Sequence, residues 1–278
     1  MKSKLISLVF SLIFFLVLVG CGEGSRVSSE DVPTSNIYAA MDISSDSSGS
    51  IFVSAQLRNG GGSSNVYLEV RGDDRLIASL DEPYSQLDVS SDLFSSVEAL
   101  SKEHKSMDKV SQYWVDVLGL DIIELPAHWY KAEFTDAVNQ NERVYVSLYR
   151  DDHTDAEDSY VDLPAPYNIT APVASNGALY SRSTDDIVLQ WDSSGTNAAV
   201  VIDVIASCEN GDSDDWQLNV TDTGTATIPS GTLSSLAGLC SYVIRMKKIT
   251  LGVFDAKFGA GGIIRGAQIR SVSVNTTD

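Results

Sequence analysis

Three cysteines are the residues of this 278-residue chain whose chemistry is most restricted by their positions. Cys21 follows an apolar run from Leu5 to Val19, whereas Cys208 and Cys240 both lie in the C-terminal half. In an exported chain, which enters an oxidising compartment, Cys208 and Cys240 are the pair that remains once Cys21 is excluded. We therefore expect a Cys208–Cys240 disulfide. Two free thiols are the alternative. A zinc site is not expected, because two thiols without a nearby histidine supply too few ligands.

The first twenty residues have the layout of an export signal. Lys2 and Lys4 make the start positive, and the apolar run of about 15 residues has the length of a signal-peptide core. A helix that crosses a membrane needs about 20 apolar residues, so the alternative, an uncleaved transmembrane anchor, fits this run less well. We therefore expect residues 1–20 to be a signal peptide.

The end of this signal, Leu18-Val19-Gly20-Cys21, resembles the lipobox of bacterial lipoproteins. The resemblance implies that Cys21 is acylated, that the signal is removed before it, and that the protein is exported and anchored to a membrane of the cell envelope. By the same resemblance, Gly22 favours sorting to the outer membrane. The sequence does not indicate which leaflet of the membrane holds the acyl chains.

The charge of the chain restricts its partners. There are 38 acidic and 19 basic side chains, which gives a formal net charge of −19. Nucleic acids and anionic lipid surfaces both need a positive protein surface, so neither is an expected partner. The charge suits a soluble body held away from a negative membrane, cations as partners, or a saline environment.

Three histidines, His104, His128 and His153, are the candidates for acid–base chemistry. None occurs with a G-x-S-x-G serine or within an H-E-x-x-H motif. We therefore expect no catalytic residues, no metal centre and no cofactor. The alternative is an envelope hydrolase whose site lies near residues 87–128. That reading requires His104, His128 and a carboxylate to share one cleft.

Two acidic loops and one tripeptide could serve in adhesion. Residues 151–158 and 209–215 are rich in carboxylates, which calcium prefers as ligands, so a calcium-dependent adhesin is a further alternative to solvated acidic turns. Arg71-Gly72-Asp73 spells a tripeptide that cell-adhesion receptors recognise. The same residues suit a tight turn between strands, where glycine supplies a positive φ, and we expect the turn.

The elements that would position these residues are mostly strands. Residues 22–35 are small and polar, so we expect the lipidated cysteine and a flexible tether to occupy 21–35. From Ile37 the apolar residues alternate, and turn-forming residues separate the alternating stretches. This pattern predicts a first antiparallel β-sandwich over 36–162.

Residues 87–125 depart from the alternation. Their apolar residues are spaced at three and four, as on one face of a helix: Leu93, Val97 and Leu100, then Val110, Tyr113, Trp114, Val117 and Leu118. This spacing predicts one or two short helices inserted into the first sandwich.

A stiff join at Leu163-Pro164-Ala165-Pro166 precedes a second all-β region, and we place a domain boundary there. Asp186–Trp191 and Leu236–Ile244 resemble the second and sixth strand regions of fibronectin type III domains. The resemblance implies that Trp191 is a core residue and that Tyr242 forms a corner hydrogen bond. The two cysteines are not standard in that family. The whole chain also resembles two-domain bacterial lipoproteins, a likeness that brings no activity with it.

Together these observations predict a mainly β protein of two tandem antiparallel β-sandwich domains, at 36–162 and 163–278, of the immunoglobulin or fibronectin type III kind. The predicted function is that of a membrane-anchored, non-catalytic binding or structural module of the cell envelope. Its partner would be an envelope protein or a glycan. The predicted contact surfaces are the 87–125 insertion and the Gly-rich loop at Gly259–Gly262, which we expect to be a long hairpin loop at one end of the second sandwich.

Overall fold

The computed structural model describes residues 25–80, 129–135, 142–173, 179–194 and 198–278, and the backbone of short strands at 104–106, 108–110, 113–114 and 124–125. Two 3-10 turns, Ser29–Asp31 and Thr34–Asn36, precede the second strand. The strands in chain order are β1 Arg26–Ser28, β2 Ile37–Ser45, β3 Ile51–Asn59, β4 Tyr67–Glu69, β5 Arg75–Leu80, β6 His104–Ser106, β7 Asp108–Val110, β8 Tyr113–Trp114, β9 Glu124–Leu125, β10 Trp129–Phe134, β11 Arg143–Tyr149, β12 Ala156–Asp162, β13 Ile169–Ala171, β14 Leu179–Ser181, β15 Ile187–Trp191, β16 Ala199–Cys208, β17 Ser213–Thr221, β18 Thr225–Ile228, β19 Cys240–Leu251 and β20 Gly262–Thr277.

The predicted β class is confirmed, and alternation explains it. In β2 and β11, apolar residues at every second position face the interior and are fully buried. Among the described residues, no helix is long and apolar enough to span a bilayer.

One long sheet runs through the molecule in the order β1-β4-β3-β2-β20-β19-β16-β17, and β10 joins it by pairing with β3. Smaller sheets of order β12-β11-β5-β6 and β13-β15-β18 complete the packing, and β8 pairs with β9. The junction in the long sheet is the parallel pairing of β2 with the first half of β20. The sheet therefore contains strands from both halves of the chain.

Two hydrophobic clusters lie along this sheet. The first cluster consists of buried hydrophobic residues that lie between Val32 and Leu163 in the chain, together with Phe258 and Ile264. The members of the second lie between Tyr167 and Val274. The join at 163–166 does separate the two sets along the sequence, but residues from the C-terminal strands complete the first cluster. The boundary at residue 163 stays a prediction.

The predicted tether at 21–35 is wrong for the part that the structure describes. From Ser25 onward the chain is packed: β1 pairs in parallel with β4, and Val32 is buried in the first cluster. The small polar residues of this segment satisfy their backbone groups on the body of the protein, which composition alone does not reveal. Residues 21–24 and Cys21 itself lie outside the described residues.

The predicted helical insertion at 87–125 is not confirmed. Val110, Tyr113 and Trp114, three residues of the expected helical stripe, lie in the short strands β7 and β8, so this part of the prediction is wrong. The physical reason is strand pairing, because β7 pairs with β10 and β6 pairs with β5. The remainder of the range lies outside the described residues.

Candidate functional site

The predicted disulfide is present. Cys208 at the end of β16 lies opposite Cys240 at the start of β19, and their sulfur atoms are 1.97 Å apart. Both cysteines are buried in the second cluster. The Arg182 guanidinium lies 3.3 Å from the Cys240 sulfur and also donates to Thr276 Oγ1 and Gly238 O. This end of the protein is therefore fixed by a covalent bond and a buried cation.

The histidines do not form a described acid–base site. His104 begins β6 rather than lying on a helix face, and its side chain and the whole of His128 lie outside the described residues. His153 is half-buried, with Nε2 2.9 Å from the carbonyl oxygen of Glu30. The hydrolase alternative, which depends on His104 and His128, stays an untested prediction.

In each of the two acidic loops, one carboxylate makes a hydrogen bond within the protein. Asp155 Oδ1 accepts the backbone N–H of Arg150 at 2.6 Å, and Asp212 Oδ2 accepts Asn210 Nδ2 at 2.8 Å. In the part of the chain that the structure describes, no group of three or more histidine, cysteine or carboxylate side chains could hold a metal ion. The calcium alternative therefore has no site among these residues.

Arg71-Gly72-Asp73 forms the expected turn between β4 and β5. Gly72 has φ = +64°, and Asp74 N donates to Arg71 O at 3.2 Å to close the turn. The turn explains the tripeptide without a receptor.

The Gly259–Gly262 stretch lies in the hairpin connection between the antiparallel strands β19 and β20, as the sequence predicts, but this connection packs against the N-terminal half. A Cβ at Gly259 would lie 2.6 Å from the backbone oxygen of Ser35, and Gly261 O accepts the backbone N–H of Ala39. Phe258, just before it, is buried in the first cluster. The glycines allow the C-terminal strands to approach the N-terminal half closely. A role of this loop as a contact surface stays a prediction.

A buried arginine holds the start of the fold. The Arg150 side chain is 0% exposed and pairs with Asp74, with Nε 2.9 Å from Oδ2. Its other nitrogens donate to Ser29 O at 2.5 Å, Val32 O at 2.9 Å and Thr34 Oγ1 at 3.2 Å. We call Arg150 with these four residues the Arg150 clamp. It fixes the segment that begins four residues after Cys21.

A second buried cluster is centred on Asp222, just after β17. Trp191 Nε1 donates to Asp222 Oδ1 at 2.7 Å, while Ser194 Oγ and Lys248 Nζ lie 2.6 and 2.9 Å from Oδ2. Lys248 also lies 4.6 Å from the centre of the Tyr167 ring. The Lys248 and Asp222 side chains are 2% and 0% exposed. This Asp222 cluster is inaccessible to a substrate, so its role is structural.

The Asp222 cluster gives the protein a predictable acid sensitivity. Burial raises the pKa of Asp222, but hydrogen bonds from Ser194, Trp191 and Lys248 outweigh it and lower that pKa to about 2. The carboxylate therefore stabilises the fold above its ordinary pKa, and the contribution is lost as the pH falls towards 2. We expect chemical denaturation to show a loss of about 2 kcal/mol from this group between about pH 4 and pH 2. In Asp222→Asn this component of the pH dependence disappears, and an unchanged profile would contradict the assignment.

A cleft of about 460 Å³ opens where the join enters the second half. It is lined by Ser47, Pro166, Tyr167, Asn168, Ile169, Thr170, Pro172, Val173, Arg270, Ser271 and Val272. Arg270 Nε donates to Tyr167 O at 2.9 Å, and burial lowers the pKa of this guanidinium. The lining contains no histidine, cysteine or carboxylate. Neither a nucleophile–base pair nor two carboxyl groups can therefore be assembled from it.

The long strand β20 relates the two ends of the molecule. It begins at Gly262 beside Ala39, at the end where Ser25 O accepts the N–H of Tyr67 and the described chain starts. It ends beside Cys240, since Thr276 is the register partner of that residue. The 16 residues of β20 extend over about 50 Å at the usual rise per residue. We call the end of the molecule beside Ala39 and Ser25 the Ser25 end, and the end beside Cys240 the disulfide end.

The comparisons with known proteins are weak. No protein-family model matches the chain, and no curated protein matches it. A two-domain fibronectin type III segment of chicken tenascin is 9% identical over 87% of this chain and 99% of its own, with a TM-score of 0.23. A tetra-tandem repeat from the extending region of a large adhesion protein is 9% identical over 84% of this chain and 50% of its own, with a TM-score of 0.21. TM-scores of this size carry no argument about this protein.

Proposed function

We propose that this protein is an exported envelope lipoprotein whose acylated Cys21 holds a β-sheet body at a membrane. The body acts as a non-catalytic binding or structural module for an envelope protein or a glycan. The observation that carries the proposal is the Arg150 clamp. The clamp holds Ser29, Val32 and Thr34, and the described chain is packed from Ser25 onward. The four residues from Cys21 to Ser25 reach at most about 14 Å.

This short reach keeps the Ser25 end close to the membrane, and we propose that the body stands with its other end pointing away. The Ser25 end lies next to the membrane, and β20 leads away from it to the disulfide end. The part of the protein around Cys208 and Cys240 then stands about 50 Å farther from the anchor. A protein built in this way presents its far end to partners, and the disulfide and Arg182 stabilise that end. The immunoglobulin-like character of the two halves belongs to this proposal and is supported by the sequence pattern.

The absence of catalysis is also part of the proposal. Its support is that the described cleft has a lining without acid–base or nucleophilic pairs and that Lys248 and Asp222 neutralise each other away from solvent. A hydrolytic site built on His104 and His128 would overturn it.

The anchor is tested by metabolic labelling with palmitate in the native cells. We expect the wild-type protein to incorporate palmitate and to be found in the membrane fraction. We expect Cys21→Ala to be unlabelled and absent from the membrane fraction, because the acyl chains hold the protein at the membrane. The matched control is the double variant Cys208→Ala/Cys240→Ala, which leaves Cys21 intact and keeps the label. An unlabelled wild-type protein in the cytosol would contradict the proposal.

The orientation is tested by energy transfer to a dye in the bilayer. A fluorophore on Ser63→Cys, near the Ser25 end, should transfer strongly, whereas one on Ser234→Cys, near the disulfide end, should transfer weakly. Both positions are exposed, so labelling leaves the cores intact. Equal transfer from the two positions would show that the body lies flat on the membrane.

A further inference from the structure

Strand β17 forms an outer edge of the long sheet. It pairs with β16 along its whole length, and no other described strand pairs with it. Its odd-numbered residues are all exposed: Ser213, Asp215, Gln217, Asn219 and Thr221. An edge of this length presents backbone donors and acceptors on which another strand can be added. The register with β16 has no bulge, so the edge is regular.

The hydrogen bonds at the two ends of β17 show which backbone groups point outward. Cys208 N donates to Asp212 O, and Asp222 N donates to Ala198 O, so the even-numbered residues face β16. In an antiparallel pair the bonding direction alternates, so the odd-numbered residues direct their N–H and C=O groups away from β16.

Part of this edge is already blocked. Asp214 Oδ1 accepts the N–H of Asp215 at 2.9 Å, and Thr221 O accepts the N–H of Thr223 at 2.8 Å. Between these two bonds, Gln217 and Asn219 present both their N–H and their C=O groups outward. The open part of the edge is therefore centred on Leu218.

We propose that this edge binds the same edge of a second copy of the protein, antiparallel, with a two-fold axis at Leu218. Gln217 of one copy then exchanges two hydrogen bonds with Asn219 of the other, and the symmetric pair does the same. Such a two-fold contact is self-complementary, because each open donor meets an open acceptor.

The side chains fit this register. On the inner face, Trp216 of one copy lies opposite Val220 of the other, and the Leu218 side chains of the two copies lie opposite each other. These three residues already pack on the second cluster, so the apolar layer continues across the axis. On the outer face, the uncharged Gln217 and Asn219 lie opposite each other.

The charges also favour this register. Asp215 lies opposite the uncharged Thr221, and Asp214 lies opposite Asp222, whose side chain is buried and paired with Lys248. An axis at Asp215 would instead place two exposed carboxylates opposite each other, which destabilises strand pairing. Because each chain carries a net charge of −19, the copies repel at long range, and added salt should increase the dimer fraction.

The register is tested by cross-linking the full-length protein under mild oxidation. Leu218 would lie at a non-hydrogen-bonded site on the axis, where opposite Cα atoms are about 4.5 Å apart, so Leu218→Cys should form a disulfide-linked dimer. The matched control is Val220→Cys, which packs on the same cluster but lies opposite Trp216 and should not cross-link to itself. The wild-type chain controls for bonds made through Cys21.

A second pair of variants tests the backbone contact without a new thiol. Asn219→Pro removes the backbone N–H that points away from β16. An edge strand tolerates proline at such a position. Since two intermolecular hydrogen bonds are lost per dimer, sedimentation should show the association constant falling by about tenfold or more. Asn219→Ala keeps the N–H and should associate like the wild type.

Three results would overturn the proposal. The first is a wild-type protein that stays monomeric in sedimentation at high concentration and high salt. The second is equal cross-linking of Leu218→Cys and Val220→Cys. The third is a mixed disulfide from Leu218→Cys to a different protein in intact cells without any homodimer, because the edge would then bind a foreign strand. None of these results depends on whether Cys21 is acylated.

Discussion

The Arg150→Leu variant is expected to lose about 3–5 kcal/mol of unfolding free energy, because it leaves the buried Asp74 carboxylate without its cation. Asp74 has a side chain only 2% exposed, and its other oxygen accepts just the N–H of Asp151. Two carbonyl oxygens of the N-terminal segment, those of Ser29 and Val32, lose a donor in the same step. Chemical denaturation measures the total loss.

The matched control is Arg143→Leu. Arg143 lies at the start of β11, the strand that Arg150 follows, and it pairs with Asp162. The side chains of this pair are 40% and 61% exposed, so solvent replaces the lost contact and little stability should change. A similar loss in the two variants would mean that removing any arginine here is damaging, and the clamp would have no special role.

Hydrogen exchange separates the clamp from general destabilisation. The amides of Val32 and Asn36 donate within the two 3-10 turns that the clamp holds. We expect these amides to exchange faster in Arg150→Leu than the amides of β20, because the segment detaches before the sheet opens. Uniform acceleration across both regions would contradict a local role. In the anchored protein, the released segment would lengthen the connection to the membrane.

The sequence reveals the strands of this fold because local alternation determines which residues are buried. Ile37, Ala39, Met41 and Ile43 face inward as predicted, and Trp191 is a core residue. The disulfide follows from counting cysteines, and its partners are opposite each other on neighbouring strands. The corner hydrogen bond implied for Tyr242 is not observed, because its buried hydroxyl bonds to no backbone group among the described residues.

The sequence does not predict the packing of the tether or of the Gly-rich loop, and the reason is common to both. Both segments pack through contacts between residues far apart in the chain, such as the pairing of Arg26 with Tyr67 and of Ala39 with Gly262. Composition describes a segment by itself and cannot show which distant strand lies across from it. Polar and glycine-rich residues therefore look free when another part of the chain satisfies them.

The alternating pattern of the strands does contain a sequence signal for the buried charged residues. Arg150 continues the inward positions Val144, Val146 and Leu148, and Lys248 continues Tyr242, Ile244 and Met246. A charged residue at the next inward position of a buried strand needs a partner inside the protein. Asp222 follows Val220 in the same way. This reading predicts that these residues are paired but does not identify their partners.

The strongest test of the Asp222 cluster is Lys248→Met, which keeps the length of the side chain and removes its charge. The Asp222 carboxylate, 0% exposed, then lacks its cation, and we expect unfolding free energy to fall by about 3–5 kcal/mol. The exposed Lys257→Met is the matched control and should be nearly neutral. The double variant Lys248→Met/Asp222→Leu should regain only part of the loss. The reason is that Trp191 Nε1 would then lose its acceptor, Asp222 Oδ1. Full recovery in the double variant would show that the ion pair alone, without the hydrogen bonds around it, determines the stability of the second cluster.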